Sequence, residues 1–92
     1  MIPSALEQAA GDPRITDATY RVYFWCTRNL DTVEERPVKV AAVARELRKK
    51  EVTIFRALRL LAESGYIARG HRPRRGVRHY RLYASPVKAK AA

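Results

Sequence analysis

The sequence predicts a mostly α-helical domain, with a core of three helices and one small β-hairpin near its C-terminal end. Up to Ser64, apolar residues recur at the spacing of helices that bury one face. After Gly65 the period changes to two, and aromatic and β-branched residues alternate with basic ones, as in strands. The 92 residues are therefore expected to form one domain at 15–83, with an arm at 1–14 and a basic, disordered tail at 84–92.

The first core helix is predicted to begin after Thr16, whose hydroxyl can cap a helix N-terminus. Val22, Trp25 and Cys26 are expected on its buried face, with Cys26 acting as a small core residue. In the arm, residues 4–10 have room for two turns of helix, a length that is not stable alone. The arm is therefore expected to be either loose or docked on a partner subunit.

The first core helix is apolar over more than one face, which indicates burial on more than one side. We expect Tyr20, Tyr23 and Phe24 to point outward beside the arm and to form the contact surface of a two-fold homodimer. Two alternatives remain open. The arm folds back over this surface within one chain, or the surface docks a different protein.

The remaining elements are two helices and two strands, which the apolar spacing predicts at about Val40–Leu47, 51–64, 66–70 and 77–83. A very short additional strand is possible at 38–40. Gly65 is expected to end the last helix, because glycine adopts a left-handed conformation cheaply. A basic loop at 71–76 joins the two strands, and Tyr80 and Leu82 are expected to face the core.

The charge is large and unevenly distributed. The net charge is +10, and fourteen of the nineteen basic residues are arginines. Residues 1–35 carry three arginines against six acids, for a net −3, whereas residues 36–92 carry a net +13. The planar guanidinium suits phosphate oxygens and guanine edges. The uneven charge distribution therefore predicts a polyanionic partner. The alternative is a basic surface that is only solvated.

Two stretches resemble the winged helix-turn-helix family, Val40-Ala-Ala-Val-Ala-Arg-Glu-Leu47 and Val52-Thr-Ile-Phe-Arg-Ala-Leu-Arg-Leu-Leu-Ala-Glu-Ser-Gly-Tyr-Ile67. The likeness covers about residues 15–83 and includes the strand at 77–83. Bacterial and phage regulators and replication-initiator domains share this pattern. The resemblance implies binding of double-stranded DNA, with a recognition helix at about 51–64 in the major groove and a basic wing at 66–83 on the backbone or minor groove.

One departure from the family pattern lies in the turn between the second and third helices. The family usually has a glycine, an aliphatic residue and a Ser or Thr cap there. Here Arg48, Lys49 and Lys50 occupy those places. The loss of the cap should cost on the order of 1 kcal/mol, and the turn is expected to be tighter or longer than usual. The same three bases place cations at the entrance to the recognition helix.

The resemblance assigns DNA contacts to the predicted recognition helix, its entrance and the wing: Lys49, Lys50, Val52, Thr53, Phe55, Arg56, Arg59, Arg69, Arg72, Arg74, Arg75 and Arg78. Arg56 is the candidate for a bidentate guanine contact, and Arg59 for a phosphate contact. Val52, Thr53 or Phe55 can touch a thymine methyl group, although Phe55 can equally contact a partner protein. At the tip of the wing, Arg72, Arg74 and Arg75 reach either the minor groove or phosphates alone.

No motif points to an enzyme, a cofactor or a metal site. The sequence has no glycine-rich phosphate loop, no paired carboxylates in a plausible cleft and no His/Cys cluster, and its two histidines lack partners at ligand spacing. No apolar run is long enough to cross a membrane, and the single cysteine fits a reducing compartment. We therefore expect a cytoplasmic, nucleoid-associated protein with no membrane partner.

The predicted role is that of a transcriptional regulator. Three alternatives come from other classes: a non-specific chromosome-organising or replication protein, an RNA-binding protein, and a winged domain that binds protein. RNA-binding modules usually stack exposed aromatic side chains on bases, and most aromatic residues here are expected in the first helix or the core.

Overall fold

The structure, a computed structural model, describes residues 5–83; the predicted tail at 84–92 and the first four residues of the arm lie outside them. These residues form a mixed α/β fold of four helices and a three-stranded antiparallel sheet. The elements are α1 (Ala5–Ala10), α2 (Asp17–Asn29), β1 (Arg36–Lys39), α3 (Val40–Leu47), α4 (Glu51–Glu63), β2 (Ile67–Arg69) and β3 (Val77–Leu82). In this part of the chain no helix is long and apolar enough to span a membrane.

Helix α2 begins where its capping residue predicts. The Thr16 side chain accepts a hydrogen bond from the Thr19 N–H at 3.2 Å, and Asp17 opens the first turn. Val22 and Cys26 are fully buried, which confirms them as core residues. Trp25 is only partly buried and packs at the edge of the core, so its predicted place inside the core is wrong.

The expectation that Tyr23 points outward is also wrong. The Tyr23 ring is 1% exposed and meets the Tyr66 ring edge-on, with their centroids 5.0 Å apart. The buried face of α2 is wide enough to include both residue 22 and residue 23. Tyr20 is partly buried, and only Phe24 of the three predicted residues is classed as exposed.

The arm packs back onto its own chain. Helix α1 lies against α2 and buries Ala9 in the core. Behind it, the Asp12 carboxylate accepts a hydrogen bond from the Tyr66 hydroxyl at 2.9 Å and pairs with Arg14 at 2.7 Å. The arm therefore folds back within one chain, as one of the alternatives has it, but it leaves Phe24 exposed and so does not cover the whole predicted surface.

The turn between α3 and α4 contains a left-handed residue without a glycine. Arg48 has φ 55° and ψ 47°, and its N–H bonds to carbonyls at the end of α3. Lys49 and Lys50 then lead into α4, whose N-cap, Lys50, makes no side-chain capping bond. The turn thus consists of residues 48–50, and its first residue adopts the left-handed conformation that commonly ends a helix.

The sheet contains the predicted hairpin and a third strand, β1, which overlaps the short strand considered possible at 38–40 but begins two residues earlier and ends one residue earlier. Strand β3 lies in the middle and pairs with β1 on one side and β2 on the other. Val38 is opposite Arg78 across β1 and β3, and Arg69 is opposite Tyr80 across β2 and β3. Tyr80 and Leu82 are each 8% exposed, so the prediction that both face the core is confirmed.

Candidate nucleic-acid interface

An open groove of about 260 Å³ separates α4 from the sheet and the loop that joins β2 to β3. One wall comes from α4, and the other from the two strands and their loop. Its walls carry one aromatic ring and five arginines: Phe55, Arg56, Arg59, Arg69, Arg72 and Arg78. We call this the arginine groove.

Helix α4 presents its wall of the groove because its other face is in the core. Ile54, Leu58 and Leu61 are each at most 1% exposed. At 3.6 residues per turn, Phe55, Arg56 and Arg59 fall on the opposite side of the helix and point away from the core. Phe55 is 48% exposed, and Arg56 is exposed beside it. The amphipathic pattern that builds the core therefore also presents the groove residues.

The sheet supplies the floor of the groove. Arg78 and Tyr80 are two residues apart on β3 and share one face of the sheet. Burial raises the pKa of the Tyr80 phenol, and the positive charges of Arg78, Arg69 and Arg72 oppose that rise. These guanidinium groups thus lie close enough to the floor for their charge to act on it. The rest of the floor is largely apolar, with Val38, Val40 and Val77.

The guanidinium groups are available to an external anion. Within residues 5–83, Arg56, Arg69, Arg72 and Arg78 take part in no ion pair. Arg59 pairs with Glu63 at 2.9 Å, but both side chains are exposed, and such surface pairs contribute about 0–1 kcal/mol. The groove therefore combines a largely apolar floor with a positively charged rim.

The other predicted site residues lie outside the arginine groove. Lys49 and Lys50 are exposed at the start of α4, and Val52, which follows them, is 47% exposed. Arg74 and Arg75 are exposed at the tip of the loop. Thr53 is half-buried and offers the least surface of the predicted set.

The structure places one acidic residue beside the loop between β2 and β3 that the sequence pattern did not indicate. Glu35 precedes β1, yet its carboxylate lies against Gly70 and accepts a hydrogen bond from the His71 N–H at 3.4 Å. It thus sits at the base of a loop whose own sequence contains no acid. The residues are 36 positions apart, so no local pattern could have signalled the contact.

Two further findings concern reactive groups. Burial raises the pKa of the Cys26 thiol to about 12, so at neutral pH this sulfur is a protonated core group. Among the residues that the structure describes, no three His, Cys, Asp or Glu side chains are grouped so that they could hold a metal ion.

Comparison with known proteins found no family model, no curated protein and no solved structure that matches this chain. The function is therefore argued from the groove itself.

Proposed function

We propose that this chain is a winged helix-turn-helix protein that binds double-stranded DNA. The observation that carries the proposal is the arginine groove, in which one exposed helix face and one basic hairpin converge around an apolar floor. Five guanidinium groups and no carboxylate line it. A phosphate backbone with its deoxyribose carbons fits both the charge and the apolar character of such a groove.

In this proposal α4 enters the major groove, which admits a single helix. Its exposed face carries Val52 and Phe55 for contacts with thymine methyl groups, and Arg56 for the two acceptors of a guanine edge. Lys49 and Lys50 lie at the N-terminal end of α4, where the helix dipole also favours a phosphate. Arg59 is assigned to a phosphate, since exchanging its exposed pair with Glu63 for a DNA contact loses little.

The loop between β2 and β3 is the wing of the proposed domain. Arg74 and Arg75 lie at its tip and extend the basic surface beyond the groove. They hold phosphates or enter the adjacent minor groove. With a role in transcription regulation, the protein would associate with the nucleoid.

The direct test is fluorescence anisotropy with a labelled DNA duplex of about two helical turns. The logarithm of the binding constant should fall with the logarithm of the salt concentration, at about −0.9 per neutralised phosphate, and we expect roughly five to eight contacts per protomer. An affinity that is unchanged between low and moderate salt would overturn the proposal.

Substitutions inside and outside the arginine groove test whether it is the DNA-binding surface. Arg56→Ala combined with Arg78→Ala should weaken binding by about 10- to 100-fold, because two charge-assisted contacts are lost. Arg45→Ala removes an exposed arginine from α3 that lines neither this groove nor any other that the structure describes, and should change the affinity less than about 3-fold. Equal losses in both proteins would show that the groove is not the binding site.

Competition distinguishes DNA from RNA. A-form RNA has a deep, narrow major groove that excludes a helix, so an RNA duplex of the same sequence should compete less well. If the RNA duplex competes as well as the DNA duplex, the RNA-binding alternative is favoured. Selection from a random DNA pool then separates a sequence-specific regulator, which enriches a consensus, from a non-specific chromosome-organising or replication protein.

A further inference from the structure

A second groove, of about 570 Å³, lies between α2 and the C-terminal end of α3. Its apolar lining consists of Tyr20, Phe24, Trp25 and Leu47. It shares no lining residue with the arginine groove. We call it the α2–α3 groove.

The rest of the chain only partly buries the apolar side chains that line this groove. Phe24 is 44% exposed, and the Tyr20, Trp25 and Leu47 side chains are only partly buried, at the edge of the core. Helix α1 packs on α2 but leaves this side open. Aromatic residues grouped on a surface are characteristic of the centres of protein interfaces.

The charges beside these apolar residues are of both signs. Arg28 stacks over the Phe24 ring, with its guanidinium carbon 5.9 Å from the ring centroid, Arg21 lines the same side, and Glu46 lies across the groove on α3. Within the described residues, none of these three side chains takes part in an ion pair. A two-fold axis can bring Arg28 or Arg21 of one copy opposite Glu46 of the other, so the charges of opposite sign favour contact between two such patches.

The overall charge distribution also favours a second copy of this chain as the occupant of the groove. Residues 1–35, which include α2, carry a net −3, whereas the strongly basic remainder carries +13. Contact between two α2 faces leaves the arginine groove of each copy outside the contact, since the two grooves share no lining residue. This limits the repulsion that a net charge of +10 would otherwise impose on self-association.

We propose that the α2–α3 groove is the contact surface of a two-fold dimer of this chain. This surface differs from the one that the sequence predicted. Tyr23 and the buried side of the arm are excluded from it, and Trp25, Leu47 and Glu46 are added. The proposal is independent of DNA binding, since dimerisation is measured on the free protein.

Sedimentation equilibrium of the full chain without DNA, at about 0.15 M salt, tests the proposal. We expect a concentration-dependent shift from monomer to dimer. Trp25, the only tryptophan, lies in the groove and reports its burial, so its emission should move to shorter wavelength over the same concentration range. A monomer at every concentration up to about 1 mM, the limit of very weak association, overturns the proposal and leaves the groove to a different protein.

Substitutions locate the surface. Phe24→Asp should weaken the dimer about 30-fold or more, because it places a charge at the apolar centre of the contact. Val33→Asp is the matched control, since Val33 is 81% exposed and lies outside the groove, and its dimer should be unchanged. Circular dichroism and thermal melting verify that both variants fold. A dimer that resists Phe24→Asp, or that responds equally to both substitutions, overturns the assignment to this groove.

Discussion

Arg48 closes the turn between α3 and α4 in a backbone conformation that favours glycine. Its φ of 55° brings the Cβ atom close to its own backbone, which costs roughly 1–2 kcal/mol for a residue with a side chain. Lys50 is the N-cap residue of α4, and its side chain makes no hydrogen bond to the end of the helix. Two of the three bases in this turn are thus unfavourable for stability, and both are exposed beside the proposed DNA surface.

The first prediction is that Arg48→Gly stabilises the protein by about 0.5–1 kcal/mol, because the relief of strain exceeds the added flexibility of the unfolded chain. For a domain of this size, that corresponds to a rise in Tm of several degrees. Arg45→Gly is the control, since Arg45 is exposed within α3, and it should lower stability by about 1 kcal/mol. A lower Tm for Arg48→Gly in thermal melting would contradict the strain.

Asp12 connects the arm to the body of the domain. Its carboxylate accepts hydrogen bonds from Arg14 and from the Tyr66 hydroxyl, and the bond from Arg14 contributes most to holding its pKa well below the usual range. Burial, followed by the bond to Asp12, raises the pKa of Tyr66 to about 12. The ionised carboxylate and the neutral phenol therefore favour each other.

The second prediction concerns Asp12→Asn, which should destabilise the protein by about 1–2 kcal/mol at neutral pH, because the charge-assisted bonds are lost. Since folding lowers the pKa of Asp12, its contribution is fully present above the ordinary value near 3.8 and is lost as the pH falls further. The difference in unfolding free energy between the two proteins should therefore be constant down to about pH 5 and shrink below pH 4. Denaturant unfolding across this range measures it.

The control for Asp12 is Glu34→Gln, since Glu34 forms only an exposed pair with Arg36, 3.7 Å long. It should change stability by less than about 0.5 kcal/mol at any pH. An effect as large as that of Asp12→Asn would mean that the acid dependence reflects total charge rather than the bonds between the arm and Tyr66.

At the scale of elements, α4 and the loop between β2 and β3 have separate tasks in the proposed complex. Helix α4 packs one face in the core, which holds its exposed face in place to select bases. The loop joins two strands and carries exposed arginines at its tip, which suits grip on the backbone. Gly76, with φ +80°, turns the chain back into β3 and makes this loop possible.

The third prediction separates these tasks. Arg56→Ala should cost about 1–3 kcal/mol on the preferred site and relax base preference at one position. Arg74→Ala combined with Arg75→Ala should weaken binding to all sequences about equally if the loop grips only phosphates. Affinities for a selected site and for a scrambled duplex measure both effects. An unchanged ratio of specific to non-specific affinity in Arg56→Ala would show that α4 does not read the bases.

At the scale of the whole molecule, one chain is proposed to carry two surfaces of opposite character. The arginine groove attracts a polyanion, and added salt screens that attraction. The α2–α3 groove is mainly apolar, and the two copies that it joins each carry a net charge of +10, so salt screens their repulsion.

The fourth prediction is therefore that the two associations respond to salt in opposite directions. Between about 0.05 and 0.5 M salt, DNA affinity should fall steeply, whereas the dimer without DNA should become stronger. Anisotropy and sedimentation measure the two responses on the same preparation. A dimer that dissociates as salt rises would indicate that ion pairs, rather than the apolar side chains, hold it together.

The apolar spacing along the chain is enough to place α2, α3, α4, β2 and β3. The predicted limits of α3 and the start of α4 agree with the structure, and the period change after Gly65 located β2 and β3 to within a few residues. Such patterns are local, since a residue and its neighbours three or four positions away decide which face is apolar. For the same reason the exposed arginines of α4 and of the hairpin could be named in advance.

How the elements pack together in three dimensions determines which of these residues share a site and which face of α2 stays open. The five arginines of the groove come together because α4 and the sheet pack on one core, and Tyr23 is buried because α2 packs on α4 and its ring meets that of Tyr66. The contact of Glu35 with the loop between β2 and β3 and the edge position of Trp25 arise in the same way. Contacts of this kind depend on how distant elements close around a common core, and that closure leaves no periodic signal along the chain.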